Sequence, residues 1–214
     1  MNRRNFVIGS TALVGIGGFG TFAATRHDRT AKADETPDPS TLDPETIDDG
    51  VIVEYTTGWV TDLFTQMRIF AFVTRVYDSE DTAKNGYDIL SLFESQYKEE
   101  NPNHAISESK EIDVSKLGDH CAGGSFFVDE PDTEDHPLHG TITYVRAIKG
   151  NVVHLWAAIK ERGDMTEELL DFAHDHMKFD LDDTSNESVK ALQPTQDDLE
   201  GFININYELN RSDD

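Results

Sequence analysis

The stretch from Gln66 to Tyr77 (QMRIFAFVTRVY) most constrains the fold. It is dense in aromatic and β-branched side chains and too short to span a membrane. In an extended chain Arg68, Phe70, Phe72, Thr74 and Val76 share one face, with Ile69, Ala71 and Val73 opposite. Apolar side chains on both sides predict a central strand buried on both faces.

Asp78-Ser79-Glu80-Asp81 then supplies a helix N-cap with acids in the first turn. Ala83, Tyr87, Leu90, Phe93 and Tyr97 recur at helical spacing, widened by Ile89 and Leu92, until Asn101-Pro102-Asn103 stops them. A helix over 80–100 follows. Upstream, Val51 to Thr56 reads as a first strand interrupted by Gly58. Downstream, strands are predicted around Glu108–Val114 and Ser125–Val128, with a turn at Gly118-Asp119 and an acidic, Pro-containing loop at 129–140.

Thr141–Ile148 and Val152–Ile159 form a predicted hairpin about Gly150-Asn151. With Lys149 opposite Val152, one face holds Ile142, Tyr144, Ile148, Val153, Leu155, Ala157 and Ile159. The other carries Thr141, Thr143, Val145, Ala147, His154, Trp156 and Ala158. Gly163-Asp164-Met165-Thr166 opens a second helix running to about Lys178, with Met165, Leu169, Phe172, Ala173 and His176 inward. Residues 180–201 are polar. Ile203, Ile205, Tyr207 and Leu209 then alternate with Asn204, Asn206 and Glu208, as in an edge strand or a tail that joins a partner's sheet.

This order predicts an α+β fold: a single twisted, mostly antiparallel sheet of about five strands with two helices packed on one face. The α+β domain covers 51–180, followed by a polar tail over 181–214 with an edge strand at 202–209. An acidic linker containing Pro37, Pro39 and Pro44 precedes it at 34–50.

Charge narrows the function. Lys and Arg number 18 against 42 Asp and Glu, a formal net charge of −24. A phosphate backbone would be repelled by such a surface, so nucleic acid is excluded as a partner. One cysteine excludes an internal disulfide framework and multi-cysteine metal modules.

The N-terminus reads Met1-Asn2-Arg3-Arg4-Asn5-Phe6-Val7, followed by a glycine-diluted apolar run to Ala24 and then Arg26, Arg29 and Lys32. Arg3 and Arg4 with Phe6 and Val7 resemble a twin-arginine export signal, and Ala31-Lys32-Ala33 offers a small-x-small cleavage site. Residues 1–33 are therefore read as a signal peptide. The alternative is an uncleaved anchor, since Phe6 to Ala24 is long enough to span a bilayer as a helix. Cleavage removes five basic residues (Arg3, Arg4, Arg26, Arg29 and Lys32) and Asp28, leaving 13 basic against 41 acidic residues and a net charge of −28. Self-repulsion of that size is quieted in molar salt, where the Debye length is about 3 Å. With the signal, this composition resembles exported proteins of extremely halophilic archaea. The resemblance implies an extracellular or cell-surface location and brief membrane contact through the signal.

Asp78-Ser79, Leu117-Gly118-Asp119 and Lys149-Gly150-Asn151 also resemble the turn motifs of small exported domains. That likeness covers Gln66 to Lys178 and implies a fold without an activity.

No catalytic constellation and no cofactor are predicted. Gly123-Gly124-Ser125 is not a nucleophile elbow. The densest donor region is His120, Cys121, Asp129, Asp132, Asp135, His136 and His139. Within it His120, Cys121, His136 and His139 are the candidate ligands of a zinc or copper ion if the loop folds back. His174 and His176 lie about 200° apart around a helix and cannot share an ion. The expected function is a non-enzymatic exported module binding a protein or small-molecule ligand, through the sheet face near His154 and Trp156 and the strand at 202–209. The rival is a secreted metal-dependent or hydrolytic enzyme using the four candidate ligands.

Overall fold

The structure, a computed structural model, describes residues 49–61, 68–100, 105–114, 116–129 and 139–204. Arg3 and Arg4, the linker to residue 48, His136 and residues 205–214 lie outside them. The strands are β1 (Val51–Thr61), β2 (Arg68–Tyr77), β3 (Ala105–Ile106), β4 (Lys110–Ile112), β5 (His120–Asp129), β6 (His139–Lys149), β7 (Val152–Lys160) and β8 (Phe202–Asn204). The α-helices are α1 (Glu80–Ile89), α2 (Phe93–Glu100), α3 (Thr166–His176) and α4 (Asn186–Lys190), with a 3-10 turn at Leu90–Leu92 between α1 and α2.

The eight strands form one antiparallel sheet, ordered β3-β5-β6-β7-β2-β1-β8, with β4 also on β5. The fold is α+β, with β2 central between β1 and β7 and almost wholly buried. The β6–β7 register sets Lys149 opposite Val152, as the alternation required. More strands form than the expected five: the Glu108–Val114 strand shortens to β4, β3 forms ahead of it at Ala105–Ile106, and β8 joins at the far end.

The placement of the helices on one face is corrected. Ile69, Ala71, Leu155, Ala157, Ile159 and Ile142 pack with Ala83, Tyr87, Ile89 and Leu90 of the α1 segment. Phe70, Phe72, Val145, Trp156 and Ala158 pack with Met165, Leu169 and Ala173 around α3. The sheet thus has a helical layer on each side. One layer alone would leave Phe70, Phe72 and Trp156 in water, each carrying roughly 150–250 Å² of side chain worth about 25 cal/mol per Å² when buried.

The polar-tail boundary at 181 is also corrected. Val189 and Leu192 join Val76 and Val152 in a third apolar cluster, and Leu199 enters the α3-side core. β8 extends the sheet by pairing Phe202–Asn204 with Trp59–Thr61. The domain therefore continues through Asn204.

One end of the sheet is knitted by the turn motifs. Tyr77 N donates to the Asn151 carbonyl (2.9 Å), and Asn151 Nδ2 donates to the Tyr77 carbonyl (2.8 Å). Asp119 N donates to the Ile148 carbonyl (2.7 Å), while Asp119 Oδ2 accepts from Gly150 N (3.2 Å). Gly118 turns with φ +71°, and a β-carbon there would lie 3.0 Å from the Ile148 carbonyl carbon. Only glycine fits that turn without strain.

Candidate functional site

A cleft of about 470 Å³ opens between β4, the middle of β5, the start of β6 and the entry to α3. Ile112, Phe127 and Leu170 give it an apolar lining, and Ser125 and Thr141 give hydroxyls. Glu108, Glu111, Asp113 and Asp164 stand at its rim, with Lys110 as the one basic residue among the described lining residues. These four carboxylates are exposed, so each stays solvated. The strand period explains the arrangement: Ser125 and Phe127 project from the α3-side face of β5, and Lys110 stands opposite Ser125. Asp164 Oδ1 accepts from Thr166 N at 3.1 Å, fixing the loop where α3 begins.

Thr143 is opposite Ser125 in the β5–β6 register and on the same face. Its hydroxyl is fully buried and has no hydrogen-bond partner among the described residues. Trp59 Nε1, Trp156 Nε1 and Asn204 Oδ1 share that condition, and all four lie on the α3 side of the sheet. Such a cleft can hold a ligand that combines positive charge with an apolar body.

The face near His154 and Trp156, expected to be an exposed binding surface, is not one. Both residues have no exposure. Trp156 meets Phe72 edge-on at 4.8 Å, and His154 meets Phe179 at 4.8 Å. The reason is the covering layer of α3 and the chain after it.

His154 instead centres a buried polar chain. Its Nε2 lies 2.8 Å from the Lys178 carbonyl, which can only accept, so Nε2 carries the proton. Nδ1 therefore accepts from the Thr74 hydroxyl at 2.8 Å. Thr74 Oγ1 in turn accepts from Gln193 Nε2, and Gln193 Oε1 accepts from the Thr57 hydroxyl at 2.9 Å. Burial lowers the His154 pKa from 6.5 to about 4, opposed by its bond to the Lys178 carbonyl.

Of the four candidate metal ligands, the three in the described residues, His120, Cys121 and His139, do not come together. His120 pairs with Ile148 at one end of β5, and His139 pairs with Asp129 at the other. Nine residue steps at about 3.3 Å separate these ends by roughly 30 Å. His120 is exposed, Cys121 Sγ donates to the Val114 carbonyl at 2.6 Å, and His136 lies outside the described residues. Among the described residues no group of three or more His, Cys, Asp or Glu is placed to hold a metal ion. His174 faces solvent, whereas His176 packs on Phe172 at 4.5 Å and pairs with Asp198 at 3.2 Å.

No family model matches the chain, nor does any curated protein or solved structure. Function is therefore read from the residues themselves.

The polar groups not singled out from the sequence are the cleft carboxylates, Thr57, Thr74, Gln193, Arg75 and Arg146. Arg75 is buried with Glu54 Oε2 at 2.6 Å. Arg146 Nη1 donates to the Tyr87 carbonyl at 2.6 Å, and its guanidinium lies 4.5 Å over the Tyr87 ring. Burial pushes the Asp88 carboxyl up, and Arg146 opposes this. The readable signal was a charged residue inside an apolar strand pattern, Arg75 in β2 and Arg146 in β6.

Proposed function

We propose that this chain is an exported, salt-adapted binding module that takes a cationic, partly apolar ligand in the cleft between β4, β5 and α3. The ligand is a basic peptide segment or a small amphipathic cation. The module works at the cell surface or outside the cell, meeting the membrane through its signal or an uncleaved anchor.

The observation carrying this reading is the cleft, where Glu108, Glu111, Asp113 and Asp164 border Ile112, Phe127 and Leu170. In molar salt, long-range attraction vanishes and only contact-distance pairs and apolar burial remain. An apolar group burying about 150 Å² contributes roughly 4 kcal/mol before the costs of association, so the floor supplies affinity and the rim supplies selectivity.

The test is calorimetric titration of the mature chain in molar KCl with an amphipathic basic peptide and its Lys-to-Glu counterpart. Binding of the basic peptide alone is expected. The pair Glu111→Gln with Asp164→Asn should weaken it about tenfold, as two exposed ion pairs would. Equal binding of both peptides, or of neither, refutes the reading.

A further inference from the structure

The segment after α3 is held at both ends by the buried chain centred on His154. At one end the Lys178 carbonyl accepts from His154, and at the other Gln193 bridges Thr57 and Thr74. Between them, Val189 and Leu192 lie on Val76 and Val152.

We propose that residues 178–193 form an acid-released strap: protonation of His154 breaks the polar chain and frees this segment from the sheet while the sheet stays folded.

The direction of the hydrogen bonds supplies the mechanism. Each donor is already committed: Thr57 to Gln193, Gln193 to Thr74, Thr74 to His154, and His154 to Lys178. A proton on Nδ1 turns that acceptor into a donor aimed at the Thr74 hydroxyl, whose own hydrogen must then leave for another acceptor. The chain cannot accommodate this without reversing the Gln193 amide, which also gives up its contact with the Tyr55 carbonyl. The new cation would be fully buried, at a cost that ordinary hydrogen bonds do not offset.

Among the described residues no carboxylate is positioned to compensate. β2 presents Thr74, β6 presents Ala147, β7 presents Trp156, and the strap presents Phe179 and the Lys178 carbonyl. Arg75 pairs with Glu54 and Arg146 with Tyr87 on the opposite face. Lys149 lies 3.5 Å from the exposed Asp180, and Lys190 lies over the Tyr55 ring at 5.8 Å. The Lys178 side chain, Asp182, Asp183 and Glu187 are exposed. His176 of α3 is engaged with Asp198.

Opening the strap lets His154 regain an ordinary histidine pKa. With about 4 closed and 6.5 open, lowering the pH from 7 to 4.5 raises the open fraction about 60-fold.

The experiment is amide hydrogen exchange of the full mature chain in molar salt at pH 7 and 4.5, corrected for intrinsic exchange. Residues 178–193 should open tens of times more often at pH 4.5, and at both pH values far more often than β2 and β7, whose opening follows global unfolding. His154→Gln keeps a donor for the Lys178 carbonyl and cannot titrate, so it should abolish the response, while His176→Gln should preserve it. A wild-type change below twofold overturns the proposal, as does a strap that opens no more often than β2 and β7 at either pH. A response that persists in His154→Gln also overturns it. If His154→Gln does not fold, ring titration by NMR decides. Strap amide shifts that follow the His154 midpoint support the latch, and a ring that titrates without them overturns it. These outcomes do not depend on whether the cleft binds a cation.

Discussion

A β-carbon on Gly86 would fall on the Tyr77 ring, 2.5 Å from Cζ and closer still to the hydroxyl. The end of β2 and the second turn of α1 touch here with no side chain between them. Tyr77 is fully buried.

Gly86→Ala should therefore destabilise the fold, although alanine is the better helix former by about 1 kcal/mol. Overpacking against a fixed ring costs about 1–3 kcal/mol. A net loss of up to about 2 kcal/mol in urea denaturation at molar salt is expected. A gain in stability would show that α1 and β2 are further apart than described.

Acid should weaken the fold through His154. Its folded pKa of about 4 lies below the unfolded 6.5, so the unfolded chain binds the proton more readily. The contribution is intact above pH 6.5, declines as the pH falls through the window to 4, and is lost below it. About 3 kcal/mol is at stake, given 1.36 kcal/mol per pKa unit. Asp198 has its pKa lowered by bonds from Thr195, so its loss falls below the window. Denaturation of wild type and His154→Gln at pH 7 and 4.5 measures the term; equal pH dependence in both rejects it.

Dilution from molar to 50 mM salt should loosen the mature chain. With 41 acids against 13 bases after removal of 1–33, self-repulsion returns as the Debye length grows severalfold from about 3 Å. A fall in melting temperature on the order of 10 °C is expected, corresponding to a few kcal/mol in a chain of this size. An unchanged melting temperature would reject salt adaptation.

Replacing Arg3 and Arg4 by lysine should block export. The chain should then accumulate inside expressing halophilic cells at precursor size, as shown by immunoblotting of cell and medium fractions. Export and processing undiminished in the Arg3→Lys, Arg4→Lys variant would reject the twin-arginine route.

Much of the fold was legible because it depends on near neighbours. Ser79 caps α1, with Thr82 N donating to its hydroxyl at 3.2 Å, as the local residues required. The predicted helix over 80–100 breaks at Leu90, where Arg146 arrives from β6 to engage the Tyr87 carbonyl among the last acceptors of α1. That donor comes from 59 residues away and no local pattern could announce it.

The candidate site was less legible. Glu108, Glu111 and Asp164 look like any other solvated acids until β4 and α3 are brought to the same side of β5. His154 and Trp156 sat on a mixed strand face that resembled an open one. The α3 layer and residues 178–193 closed it.

By itself the sequence determined the strand and helix periods, the turns at Gly118 and Gly150, and the acid excess, because these reside in single residues and short-range spacing. Tertiary structure alone decided that helices cover both faces, that His120 and His139 end roughly 30 Å apart, and that His154 is shut inside a polar chain. An apolar side chain specifies that it must be covered, whereas which layer covers it depends on how the whole sheet is assembled.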